Sequence, residues 1–359
     1  MGIIGTGLVG GSVGLALRRN GVVVRGYDRD AERSARALEM GAVDEVVASA
    51  ATAAADADLV VVAVPVSIVA DAVVEALDAG APVVTDVGSV KAPVVEAVEA
   101  ARPALAARYV GGHPMAGSEQ DGLDGADADL FEGATWVLTP TERTDPDAFA
   151  TVRQTLGAIG AEVFAVTPEE HDALVAMVSH VPQLAATTLM DVAATRGAGH
   201  ALLLRLAAGG FRDMTRIAAG HPGIWPDICV TNRDAIVTAL DEYVAALEQV
   251  RAMVVASDRS ALLEVLDRAR AARRSLPTGI PADVELIELH VPIADRPGSL
   301  AEVTTLAGAL GVNISDIEIA HSVEGRGGVL VLLIAADDAD RFTAALTDRG
   351  YHPVRTTLS

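Results

Sequence analysis

Cysteine is almost missing. Cys229 is the only one in 359 residues, so no disulfide can close within the chain and no multi-cysteine zinc site can be built. No metal site is expected, and the usage fits a reducing cytoplasm. Positive charge is also scarce. With 49 acidic against 27 basic side chains the formal net charge is −22, which disfavours nucleic acid and anionic membrane surfaces as partners. Lys91 is the sole lysine; the arginine excess goes with an alanine-rich background and carries no functional reading. Long apolar runs are lacking too. The longest, Leu59 to Ala70, has twelve residues and includes Pro65, short of the roughly 20 needed to cross a bilayer. No basic segment precedes the first apolar stretch, so no signal peptide is visible. The first strand opens at Gly2, directly after Met1, which points to an upstream start.

What is present is ample apolar material, 51% of the chain, in a length suited to two or three domains. Over the first 140 residues short apolar runs alternate with helical patterns, which predicts a mostly parallel sheet. Strands are expected at Gly2–Gly5, Val22–Asp28, Leu59–Val64, Val83–Val87 and Tyr109–Gly111, with helices near Leu8–Arg19, Ala31–Met40, Val66–Ala79 and Ala92–Ala101. The strand runs are nearly continuous in β-branched residues, as in strands covered on both faces. From Pro168 to Arg274 only helical spacing remains. SLPTGIPAD, residues 275–283, then reads as a linker with two prolines and a glycine. The tail has the order βαββαβ: a strand over Val284–Pro292, a helix over Ser299–Leu310, strands at Ile314–His321 and Gly328–Ala335, a helix over Ala339–Arg349 and a strand at Val354–Thr357. The expected domains are therefore residues 1–167, an all-α domain 168–274, a linker 275–283 and a ferredoxin-like module 284–359.

Gly5-Thr6-Gly7-Leu8-Val9-Gly10 follows the first strand and opens a helix, and Asp28 closes the second strand eighteen residues later. In that context the glycines mark a Rossmann-type dinucleotide site: a tight turn at Gly5, close approach to a pyrophosphate at Gly7, and helix-to-strand packing at Gly10. The helix N-terminus supplies N–H groups and a positive dipole end, so an acidic protein can still hold an anionic cofactor. Asp28 is placed to accept from a ribose diol and to repel a 2′-phosphate, which favours NAD. Arg29, directly after it, is able to neutralise such a phosphate, so NADP stays open.

Polar residues also cluster where strand ends should open into the cleft of a doubly wound sheet. These segments are Asp86-Val87-Gly88-Ser89-Val90-Lys91, Gly112-His113-Pro114-Met115-Ala116-Gly117-Ser118-Glu119 and Val178-Ser179-His180-Val181-Pro182-Gln183; a fourth, Gly210-Phe211-Arg212-Asp213-Met214-Thr215-Arg216, precedes Trp225. With HPMAGSE and GFRDMTR the chain resembles the prephenate dehydrogenase family of tyrosine biosynthesis, which includes arogenate and cyclohexadienyl dehydrogenases. That likeness runs through about residues 1–275. The segment Ile293-Ala294-Asp295-Arg296-Pro297-Gly298-Ser299-Leu300 is similar to an ACT domain, a small amino-acid-binding regulatory module.

The resemblance implies an NAD-dependent oxidative decarboxylation of prephenate, or of arogenate. Helices rich in Ala and Leu, such as Val230–Ala256, carry more apolar surface than one small domain needs, which predicts a homodimer. The resemblance makes His113 the acceptor of the substrate hydroxyl proton, a task suited to a neutral imidazole. Ser89 is implied to bond the substrate hydroxyl and the cofactor region; it also sits where an N-cap for the following helix would be. Arg216 is implied to hold the ring carboxylate, where a guanidinium makes a charge-assisted bidentate pair, while Arg212 reads as a solvated or structural charge. Many members have a second His where this chain has Gln183, which hydrogen-bonds but carries no charge; arogenate, with its ammonium, thereby becomes a contender. His180 has a structural hydrogen bond and a substrate contact as equal alternatives, Glu119 is a candidate to gate the cleft or to bind a dipole of the substrate, Trp225 packs near the pocket or in the core, and His171 reads as structural.

For the tail the resemblance implies an amino-acid effector, tyrosine, held by Asp295, Pro297, Gly298, Ser299, Leu300 and Asn313 near a helix N-terminus; a purely structural or pairing module is the alternative. Two other functions compete with this one. A 3-hydroxy-acid or imine oxidoreductase of similar layout typically uses a lysine in the helical domain, and this domain has none. A non-catalytic amino-acid sensor is opposed by intact Ser89, His113 and Arg216.

Overall fold

The computed structural model describes residues 1–117, 122–197, 202–275, 286–294, 296–321 and 328–357. Contacts divide the chain into two compact units, Met1–Ala252 and Met253–Ser359. The first begins β1 (Gly2–Ile4), α1 (Leu8–Arg19), β2 (Arg25–Tyr27), α2 (Ala31–Glu39), β3 (Glu45–Val46), α3 (Ala50–Ala54), β4 (Val60–Val62), α4 (Val69–Asp78), β5 (Val84–Asp86), α5 (Ala92–Ala101) and β6 (Tyr109–Pro114). It continues with β7 (Thr135–Thr139), α6 (Pro146–Ala158) and β8 (Glu162–Ala165), then only helices: α7 (Pro168–Val175), α8 (Val181–Gly197), α9 (Leu202–Arg205), α10 (Gly209–Thr215), α11 (Trp225–Thr231) and α12 (Arg233–Ala256), whose end passes into the second unit.

The sheet order is β3-β2-β1-β4-β5-β6-β7-β8, parallel except where β6 meets β7. Alternate residues of the central strands serve opposite faces, as period-two side chains must. Ile4, Val60 and Val62 join a core with α3 and α4, whereas Ile3 and Val61 join one with α1 and α6. Being covered on both sides, β1 and β4 can be apolar at every position, which explains the runs in the sequence. The expected strand Val22–Asp28 shortens to Arg25–Tyr27 because Val23 lies out in solvent, 67% exposed. β6 runs on to Pro114, beyond the expected Gly111, since β7 pairs His113 with Val137 and Pro114 with Trp136. β7, α6 and β8 extend the sheet past the strands read from sequence.

α7 and α8 form one helical run, Pro168–Gly197, joined by a π-helical turn at Ala176–His180. Its length and hydropathy would suffice to cross a bilayer, yet His171, Asp172, His180 and Gln183 on it are all buried within this unit. The second unit holds α13 (Arg259–Arg274), β9 (Leu286–Ile293), α14 (Ser299–Leu310), β10 (Ile314–His321), β11 (Gly328–Ala335), α15 (Ala339–Asp348) and β12 (Val354–Thr357). The four strands form an antiparallel sheet in the order β10-β11-β9-β12, and Leu289, Val291, Leu330 and Leu332 on one face pack with Phe342 and Leu346 of α15. α13 belongs to this unit by its contacts, whereas the sequence grouped it with the preceding helices.

Candidate active site

The glycine loop has the geometry its spacing implies. Gly5 has φ 94°, a left-handed conformation costly to any residue with a Cβ, and a Cβ there would lie 2.3 Å from the Ala63 carbonyl oxygen. At Gly10 an added Cβ would come within 2.0 Å of the Gly5 oxygen, so α1 can reach the strand end only without a side chain. Gly7 is the N-cap of α1 and faces open space. Thr6 and Leu8–Val9 complete the turn, and Thr6 N donates to Asp28 Oδ2 at 2.9 Å. A cleft of about 210 Å³ adjoins this loop, lined among others by Gly5, Gly7, Asp28, Arg29, Arg33 and Pro65. The guanidinium nearest the acid is one the sequence did not single out: Arg33 Nη1 is 3.5 Å from Asp28 Oδ2, while Arg29 is exposed beside it. The open backbone at Gly7 beside a helix N-terminus fits a pyrophosphate, and the buried carboxylate of Asp28 fits a ribose diol.

At the end of β5 a second polar centre is sealed from water. Asp86 and Lys91 are both fully buried, and Lys91 Nζ donates to Asp86 Oδ2 and, at 3.0 Å, to the Gly112 carbonyl. Asp86 also accepts from Gly88 N at 2.8 Å, Tyr109 Oη at 2.8 Å and Gly112 N at 3.1 Å. Four donors thus fix one carboxylate, and through Gly112 they fix the backbone that leads into His113. Burial pushes the Lys91 ammonium down and Asp86 pulls it back up; for Tyr109, burial and then Asp86 hold the phenol well above its ordinary value.

His113 stands, half-buried, at the end of β6. Desolvation, followed by the neighbouring His171, Lys91 and His180, holds its imidazole well below 6.5, so it is neutral at physiological pH. Its Nδ1 lies 2.9 Å from His171 Nε2, and the rings meet edge to face at 5.1 Å. His171 Nδ1 in turn lies 2.8 Å from Asp172 Oδ1. Asp172 accepts from Lys91 N at 2.7 Å and Ala92 N at 2.8 Å, which caps α5 from another helix. Ser89 therefore is not that cap; it sits, half-buried, in the loop between β5 and α5. Asn232, also absent from the expected set, donates to the Asp172 carbonyl at 3.0 Å and meets His180 Nδ1 at 3.2 Å.

His180 is buried against Asn232, and its ring lies 6.1 Å from that of Trp225, edge on. Desolvation lowers it to about 4, partly opposed by Asp172. Gln183, one helical turn along, is buried and donates from Nε2 to Thr187 Oγ1 at 3.4 Å. Arg216 is exposed and opens the 3₁₀ turn Arg216–Ala219, which packs on α8, the helix of Gln183. Glu119 lies outside the described residues, as does Asp295. In the second unit Gly298, φ 93°, is the N-cap of α14, with Pro297 and Leu300 exposed, Ser299 buried and Asn313 exposed just before β10.

The chain is similar to proteins of known family. A family model described as prephenate dehydrogenase, nucleotide-binding domain, matches residues 13–165, and one described as prephenate dehydrogenase, dimerization domain, matches residues 167–268. The prephenate dehydrogenase of Bacillus subtilis is 34% identical over 345 residues, covering 94% of this chain and 92% of its own. A cyclohexadienyl dehydrogenase of Zymomonas mobilis is 34% identical over 284 residues, with 77% and 95% covered. Among solved structures, prephenate dehydrogenase from A. aeolicus in complex with hydroxyphenyl propionate and NAD+ superposes with a TM-score of 0.72 at 31% identity, covering 77% of this chain and 97% of its own. Synechocystis arogenate dehydrogenase gives 0.68 at 31%, with 77% and 99% covered. The Bacillus alignment, at 94% of this chain, leaves too little uncovered to omit the C-terminal module.

Proposed function

The chain belongs to the prephenate dehydrogenase family, and from that premise we propose that it converts prephenate to 4-hydroxyphenylpyruvate and carbon dioxide with NAD. NAD, when bound, would supply the hydride acceptor. Loss of hydride from the carbinol carbon lets carbon dioxide leave as the ring aromatises, so the step runs one way. The chain's own task is to hold both molecules and to manage the hydroxyl proton.

The observation that carries this reading is His113: a neutral imidazole at the end of β6, in the same sheet whose β1 leads into the glycine loop, with one ring nitrogen already engaged by His171. In this reading its other nitrogen accepts a hydrogen bond from the substrate hydroxyl and takes the proton as carbonyl character develops. Ser89, released from capping duty, bonds the same hydroxyl and the cofactor. The α1 N-terminus and residues Gly5 to Gly10 hold the pyrophosphate; Asp28, with Arg29 and Arg33 beside it, holds the ribose. Arg216 pairs with the ring carboxylate, and Gln183, His180, Trp225 and Glu119 shape the rest of the pocket.

A second substrate is favoured by Gln183 in particular. One Nε2 hydrogen goes to Thr187, and the free Oε1 is an uncharged acceptor that can receive a hydrogen bond from the ammonium of arogenate, where a charged histidine would repel it. The test is the absorbance of reduced cofactor with prephenate and arogenate, each with NAD and NADP. Turnover of prephenate with NAD is expected; no reduction in all four mixtures overturns the function.

We read residues 168–274 as the substrate and dimerisation domain and the C-terminal module as an ACT-type regulatory domain. Support for the latter is its βαββαβ element order and the left-handed turn at Gly298 that presents the N-terminus of α14. Tyrosine, the end product, is the proposed effector. Inhibition by tyrosine, or a shift in melting temperature on its addition, is expected; neither effect appearing removes the claim.

A further inference from the structure

Asp172, His171 and His113 form a chain of hydrogen bonds whose direction is set at one end. Both oxygens of Asp172 accept backbone N–H groups at the start of α5, Oδ1 from Lys91 and Oδ2 from Ala92. A carboxylate at a helix N-terminus is an acceptor at an electrically favourable place. The 2.8 Å contact between Asp172 Oδ1 and His171 Nδ1 therefore has the ring donating. A neutral His171 protonated on Nδ1 has a bare lone pair on Nε2. That lone pair meets His113 Nδ1 at 2.9 Å, so here the proton belongs to His113. With Nδ1 protonated, neutral His113 is left with its lone pair on Nε2.

We propose that Asp172 and His171 are positioning residues that lock His113 in its Nδ1–H tautomer, so that Nε2 is presented as a hydrogen-bond acceptor. Imidazole in water prefers the opposite tautomer, with the proton on Nε2. An unguided His113 would thus offer a hydroxyl group a donor for most of the time. The relay also ties tautomer to framework: Asp172 joins α5 to α7, Asn232 donates to its carbonyl, and Lys91, whose N–H it accepts, holds Gly112 next to His113. The catalytic consequence rests on the dehydrogenase reading above; the tautomer itself does not.

The experiment uses the full-length protein labelled with ¹⁵N and a long-range proton–nitrogen correlation of its imidazole rings near neutral pH. The His113 signals are assigned by their loss in His113→Asn. Expected is a protonated Nδ1 and an unprotonated Nε2; an Nε2–H ring, or a His171 protonated on both nitrogens, overturns the proposal. In His171→Leu, which leaves the Asp172 cap of α5 in place, His113 is expected to shift toward Nε2–H. An unchanged tautomer in that variant also overturns it. His171→Gln keeps a donor for Asp172 and an acceptor for His113, and should restore the wild-type pattern. With prephenate and NAD, His171→Leu should lower kcat by about 10²-fold or more with KM changed only a few-fold, and His171→Gln should recover most of that loss. If the wild type turns over neither prephenate nor arogenate, the function fails while the nitrogen signals still decide the tautomer.

Discussion

Lys91, the chain's only lysine, spans two elements of the cleft floor: its ammonium is fully buried between the Asp86 carboxylate and the carbonyl of Gly112, the residue before His113. Removing either charge leaves the other without its counter-charge in a place water does not reach. Lys91→Met should cost about 3–5 kcal/mol of folding stability, the usual penalty for orphaning one member of a buried pair. Urea denaturation measures it. The double variant Asp86→Asn with Lys91→Met should lose less than the two single losses added together, because the second change removes the orphan; full additivity would show that the pair is not coupled.

Turnover should depend on His113 far more than binding does. His113→Asn removes the acceptor while leaving the glycine loop untouched, so kcat should fall by roughly 10²–10⁴-fold, with little change in NAD affinity by fluorescence titration. Because burial, His171, Lys91 and His180 all hold the imidazole well below 6.5, it stays neutral as the pH drops past the ordinary histidine range. The acid limb of kcat/KM should accordingly lie well under 6.5. A limb at 6.5 or above would assign the titration to another group.

Acid should also loosen the fold, with a sign that follows from the same two imidazoles. His113 and His180 are harder to protonate folded than unfolded, the latter lowered to about 4. Above about 6.5 neither state binds the proton and the histidines contribute nothing. Below it the unfolded chain gains protons first, so stability falls with pH until the folded rings titrate as well. For His180 alone the loss reaches up to about 3 kcal/mol near pH 4. Melting temperatures from pH 7.5 to 4.5 should decline, and less steeply in His180→Gln.

Much of this arrangement was legible because it is local in sequence. The helix ends of α1, α5 and α14 fall where the periodicity put them, and the six elements of the C-terminal module appear in the order read from the chain. What escaped notice is non-local or weakly patterned. TWVLT and EVFA make strands of five and four residues whose signal is short, and Phe164 within the second is 54% exposed. Asp172 caps a helix that begins eighty residues earlier, a relation no spacing rule can anticipate. His171 read as structural for the same reason; its partner His113 is 58 positions away. Arg33 could have been found, since it lies in the first turn of α2, five residues after the acid it approaches.

That arginine bears on cofactor choice. Asp28 repels a 2′-phosphate, but Arg29 and Arg33 both line the same cleft, and Arg33 pairs with the acid. Neutralising the acid should therefore do more than weaken NAD binding, because it leaves two guanidinium groups for the phosphate. In Asp28→Asn the ratio of kcat/KM for NAD to that for NADP is expected to drop by about tenfold or more. Adding Arg33→Ala should return part of the ratio by lowering the NADP side. An unchanged ratio in the single variant would take Asp28 out of cofactor selection.

Dimerisation can be tested on one helix. α12 buries Ile236 and Ala239 against its own unit, yet Val237, Val244 and Leu247 are each about half exposed at spacings of seven and three, an apolar stripe on a second side of the helix. Val230, at the end of α11, is 76% exposed. Leaving such a stripe in water costs about 25 cal/mol for every Å² of apolar surface that a partner could cover, and the family model matching residues 167–268 is described as a dimerization domain. The wild type should run as a dimer in light scattering at micromolar concentration. Val244→Glu combined with Leu247→Glu should give a folded monomer, because two carboxylates facing two more across a twofold axis repel and would be desolvated on pairing. A wild-type monomer would remove the dimer, and a variant that stays dimeric with unchanged affinity would move the interface off this stripe.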